Sequence, residues 1–191
     1  MPPLGRPPAA SRDEVLGAAM DAYLRGTRID VQAIAGRLGV GRTTIYRWFR
    51  SREGLLGEVL VLAADPLLDA AAASAKGTGG TYLLDTFDRF NRSLVAAPAL
   101  RAFVEQERDL ALRVITSGAG VVDPHITGRI TALIQREIDA GRFVSPVAAD
   151  TLGFAIVRLA EAFLLNDVVA GVRSDVARLR SVEAALLGVP A

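Results

Sequence analysis

Residues Asp30 to Leu56 read DVQAIAGRLGVGRTTIYRWFRSREGLL, and no other stretch constrains the fold of this chain so strongly. Its middle, Val31 to Arg50, has the spacing of two short helices joined by a tight turn. Asp30 is an N-cap residue, because its carboxylate can accept the first free backbone N–H groups. Ile34 and Leu38 are four apart and share one face. Ala35 is small where two helices must cross closely. Gly39 stands just past the last apolar residue, where a left-handed backbone ends the helix. Val40 packs under the turn, and Ile45, Trp48 and Phe49 form the inner face of the second helix. Arg42, Thr43, Thr44 and Arg47 then point elsewhere. A helix with short polar and cationic residues on its free face, braced by a preceding helix, fits the major groove of DNA.

The remainder of the 191-residue chain also reads as helical, without runs of period-2 alternation. The first twelve residues contain four prolines and are expected to form a flexible arm. Ser11 caps a helix to about Leu24, with Val15, Leu16, Ala19 and Tyr23 inward. Ser51 caps a long helix from Arg52 to about Ala75, with Leu55, Leu56, Val59 and Leu62 on its core face. Pro66 should kink or split it. Further helices are expected from Thr81 to Ala96, from Pro98 to Ser117, and from Asp123-Pro124 (as N-cap and N1) to Ala140. Two more are expected from Ser145-Pro146 to Val169 and from Ser174 to Leu187. The predicted fold is all-α with about nine helices. It divides into an arm (1–10), a three-helix helix-turn-helix domain (11–56) and a larger helical bundle (57–191).

Charge is unevenly spread. Nine Arg against six acids give residues 1–60 a charge of +3, while the rest sums to −2. The basic front end suits a phosphate partner. Cysteine is absent, which fits a reducing cytoplasm. No apolar run approaches the ~18 residues of a membrane span, so no membrane partner is expected.

The run IAGRLGVGRTTIYRWFRSREGLL resembles the DNA-binding domain of TetR-type transcriptional repressors, including Tyr46-x-x-Phe49 and a basic residue after Ser51. The resemblance covers about the first third of the chain. GRPPAASR and DTFDRFNRSL (residues 85–94) are similar to the QsdR branch of that family, which implies a lactone as a possible effector. Two positions depart from the family pattern. Gly41 replaces a Ser or Thr that would cap the recognition helix, and Trp48 stands where His or Tyr is usual.

Chemistry assigns the DNA-facing roles. Arg42 reaches guanine or a phosphate, and Thr43 and Thr44 reach base edges or a thymine methyl. Tyr46 and Arg47 clamp phosphates, while Trp48 is either core or a phosphate donor. Arg52, in the first turn of the next helix, is expected to anchor a phosphate. Arg6 on the arm can enter the minor groove.

In the bundle, polar residues interrupt apolar patterns. Phe87 with Asn91, Phe103 with Glu107, and Phe154 with Arg158 and Glu161 are the candidate ligand-binding residues. Arg158 and Glu161 either pair with each other, because an unpaired buried charge costs several kcal/mol, or line a pocket. The helix after Pro146 is apolar nearly all round and must be covered on more than one face. With the last helix it would form a two-fold, four-helix homodimer interface, as the resemblance implies. The expected partners are a double-stranded, near-palindromic DNA operator and a small, largely apolar effector.

An enzyme is the rival reading. One His and no Cys supply no triad and no zinc cluster, and the single Lys lacks a phosphate-binding glycine loop. No cofactor, metal or catalytic residue is expected. A helical protein-interaction module without DNA binding is the second rival, and operator affinity separates it from the first reading.

Overall fold

The computed structural model describes residues 10–165 and 175–190. Every regular element among them is a helix. These are α1 (Arg12–Leu24), α2 (Val31–Leu38), α3 (Arg42–Phe49), α4 (Arg52–Ser74), α5 (Gly79–Ala96), α6 (Pro98–Gln106), α7 (Arg108–Thr116), α8 (Val122–Asp139), α9 (Ala149–Leu164) and α10 (Val176–Leu187). Ten are present among the described residues, where about nine were expected.

The caps explain the head. Ser11 and Glu14 form a reciprocal capping box on α1. Asp30 accepts from the Gln32 and Ala33 amides at 2.7 and 3.2 Å. Gly39 closes α2 at φ 66°, a left-handed conformation open to glycine without a Cβ clash. Val15, Ile34, Ile45, Phe49 and Leu55 then fill one core. That core does not stop at the head, because Phe103 of α6 and Leu110, Ala111 and Val114 of α7 belong to it. A second core, around Leu68, Phe87, Ile134, Leu152 and Leu187, lies in the bundle. α4 spans both, with Leu55 to Leu60 in the first and Leu68 and Ala71 in the second.

Several expectations are corrected. Pro66 does not split α4, which runs through it. Leu62 is 47% exposed rather than on the core face. The Pro98–Ser117 helix breaks at Glu107 (φ −137°, ψ 51°), a residue held by an ion pair from another element. α8 begins one residue before Asp123, whose carboxylate turns to Arg158 instead of capping. α9 begins at Ala149, not after Ser145. Asp175 caps α10, accepting from the Arg178 amide at 2.9 Å. The expected continuation to Val169, and Ser174 as a cap, lie outside the described residues.

Candidate DNA-binding face and effector cavity

Helix α3 presents the predicted reader. Ile45 is fully buried and Phe49 nearly so, which fixes the rotation of the helix. Arg42, Thr43, Tyr46 and Arg47 are consequently exposed, and Thr44 is half-buried. Tyr46 is 40% exposed. Trp48 is half-buried and packs against the head core, which favours the core side of its two expected roles. Gly41 provides no side-chain cap, so the first turn of α3 relies on its backbone, with Thr44 N–H donating to the Gly41 carbonyl at 2.9 Å. Arg6 lies outside the described residues.

Arg52 sits elsewhere than expected. Its guanidinium donates to both Glu107 oxygens, at 2.8 and 2.6 Å, and to the Ile29 carbonyl at 3.2 Å. That engagement leaves it a tie between head and bundle instead of a free phosphate anchor. The bond from Arg52 holds the Glu107 carboxyl below its usual range. Arg28 adds a second cation at 3.6 Å. Glu107 is therefore not a pocket residue, and Phe103 is buried in the core shared with the head.

A cavity of about 760 Å³ lies beneath the head. Helices α4, α5, α6, α8 and α9 supply most of its wall, with Leu60, Phe87, Phe90, Leu94, Leu100 and Ile156 among the apolar lining. Of the expected ligand-binding residues, Phe87, Asn91 and Glu161 line it. Phe103, Glu107, Phe154 and Arg158 do not. Phe154 is 55% exposed on the outer side of α9, with the Arg158 guanidinium over its ring at 5.3 Å. Arg158 both pairs with Glu161, at 3.1 Å, and closes a bond to Asp123. Burial pushes the Glu161 carboxyl up to about 7.

Sequence reasoning missed most of the lining, three positions of which are instructive. Asp123 lines the cavity, as do Tyr23 and Leu24 at the end of α1. Leu24 carried a signal, because it is apolar yet lies off the inward stripe of its helix. It is 65% exposed. No periodicity could place α1 over a cavity formed by residues 60–165.

Comparison with known proteins decides the family. The sequence profile of the bacterial regulatory proteins of the tetR family matches residues 18–59, and that of the tetracyclin repressor-like C-terminal domain matches residues 78–188. The chain belongs to the TetR family of transcriptional regulators. This TetR-family regulator is 30% identical over 180 residues to the HTH-type transcriptional regulator AlkX of Mycobacterium tuberculosis, covering 90% of this chain and 83% of that one. It is similar in structure to the R. erythropolis transcriptional repressor QsdR, with TM-score 0.88 and 29% identity over 94% of this chain and 95% of that chain. The fatty acid degradation regulator FadR of Bacillus halodurans shares the fold, with TM-score 0.56 and 19% identity over 95% of this chain and all of that one. The family and its relatives AlkX and QsdR are transcriptional regulators rather than enzymes, and the enzyme reading falls with them. No helix among the described residues is long and apolar enough to cross a membrane.

Proposed function

We propose that this TetR-family regulator is an effector-released repressor. As a homodimer in the cytoplasm it binds a near-palindromic operator, with two copies of α3 one DNA turn apart, ~34–36 Å. Arg42, Thr43 and Thr44 read bases, and Tyr46 and Arg47 hold phosphates. The observation that carries the reading is the 760 Å³ apolar cavity whose wall includes both α6 and the end of α1 in the head. A ligand that fits there touches α1, which packs against the reading helix α3. The likeness to a repressor, QsdR, supports the sign of the regulation. Exposed Phe154 and Val147 near α9, which packs against α10, support a subunit interface on that side.

A small, largely apolar effector shifts the dimer toward a state with wrongly spaced reading helices. Moving occupancy from about 99% to about 1% requires roughly 10⁴-fold tighter binding to that state. A gel shift with the DNA upstream of the regulator's own gene tests the reading. The complex should form, weaken with Arg42→Ala, and dissociate with some member of a broad effector screen, γ-lactones among them. Operator binding that ignores both Arg42→Ala and every effector would sink it.

A further inference from the structure

The cavity's polar groups are few and unevenly charged. Arg101 is the only cation among the described residues lining it, and it is exposed, with one N–H already donated to the Val95 carbonyl at 3.2 Å. Asp123 and Glu161 share one guanidinium, that of Arg158, so this part of the wall holds two carboxyls for one cation. A third carboxyl, Glu183 of α10, is fully buried behind Asn91. An anionic head group would lose its water and meet a surplus of acid, with no unengaged buried cation. A cationic head would lose its water as well, and Arg158 already sits between the two carboxyls, which leaves only part of their charge for it.

Asn91 differs from these groups. It is 3% exposed, lines the cavity and is held by its Nδ2 donating to Glu183 Oε1 at 3.1 Å. The Asn91 side chain makes no other hydrogen bond among the described residues, which leaves its second N–H and its Oδ1 to face the cavity. A buried, oriented and neutral amide with a donor and an acceptor to spare recognises a neutral polar group.

We propose that the effector is an uncharged amphiphile, its apolar chain lying along Leu60, Phe87, Phe90 and Leu94 and its polar head bonded to the Asn91 amide, and that free carboxylates are rejected. This rests on reading the cavity as the effector site. Three probes of equal chain length, decanamide, decanoate and decylamine, are titrated into the full-length protein at pH 8 by calorimetry and into its operator complex by fluorescence anisotropy. Decanamide should bind at least about tenfold more tightly than either charged probe and release the operator, roughly the worth of one satisfied buried hydrogen bond. Equal or tighter binding of decanoate or decylamine overturns the class. If none of the three binds but another member of the effector screen releases the operator, the class falls and the effector reading stands, whereas silence across the whole screen sinks the effector reading. The double variant Asn91→Leu with Glu183→Leu removes both buried partners together, and so keeps the core satisfied. A folded double variant should lose about tenfold in decanamide affinity, and unchanged affinity removes Asn91 from the site.

Discussion

Arg52 and Glu107 close a bidentate ion pair, at 2.8 and 2.6 Å, between the first turn of α4 and the break separating α6 from α7. Arg52 immediately follows the cap of the helix that leaves the DNA reader, and α6 walls the cavity. Gln106 Nε2 adds a bond to the Gly26 carbonyl at 2.7 Å. The head is thus fastened to the cavity wall by polar ties next to a shared apolar core.

Glu107→Ala removes the acceptor and leaves the half-buried Arg52 guanidinium unpaired. Stability should fall by about 1.5–3 kcal/mol, the usual range for a hydrogen bond to a charged group. The same variant should need more effector for operator release, because wall motion no longer pulls on α4. Urea denaturation measures the first effect and anisotropy titration the second. A double-mutant cycle with Arg52→Ala should show coupling, and additive losses would mean that the pair is energetically idle.

Arg42→Ala and Arg47→Ala should behave differently. Loss of a base contact at Arg42 should cost about 1–3 kcal/mol and relax the preference at one operator position. Loss of a phosphate contact at Arg47 should weaken all sequences alike and reduce the salt slope by about one. Operator variants assayed across a salt series distinguish the two, and identical behaviour would contradict the assignment of roles.

Glu183 predicts a pH dependence of stability. Burial pushes its carboxyl from 4.5 up to about 7 in the folded chain. Asp88 adds to that rise, while the bond from Asn91 and the charge of Arg180 oppose it. Below pH 4.5 the group is protonated in both states and costs nothing. As pH rises through 4.5 to 7, the unfolded chain gives up the proton while the folded chain keeps it, so stability falls. Above 7 the loss is complete, at roughly 3 kcal/mol. Glu183→Gln, neutral throughout and still able to accept from Asn91, should match the wild type near pH 4.5 and exceed it at pH 8. Urea midpoints at the two pH values check this, and parallel profiles would refute it.

Gly153 lets α9 approach α8. A Cβ there would stand 2.4 Å from Thr131 Oγ1 and 3.2 Å from the Thr131 Cα. Gly153→Ala should therefore destabilise by about 1–3 kcal/mol through overpacking, despite the better helix propensity of alanine. Thermal melts of Gly153→Ala, alone and with Thr131→Ala, test it. Relief by the second change is expected, since it removes the nearest clashing atom.

What the sequence by itself determined is local. Capping residues, the Gly39 turn and the 3.6-residue spacing of Ile45 and Phe49 specify the helix-turn-helix and which face of α3 is free, because each acts within a few residues. Asn91 and Glu161 could be flagged as polar intrusions in apolar stripes for the same reason. Only the tertiary structure decided where long side chains spend their charge. Arg52 sits where a phosphate anchor belongs, yet Glu107, 55 residues later, claims it. Asp123 sits where a cap belongs, yet Arg158 takes it. The break at Glu107, the exposed Phe154 and the placement of Leu24 over a cavity built by later helices have the same origin. Ion pairs and cavities depend on which elements meet in space, and helical periodicity carries no information about that.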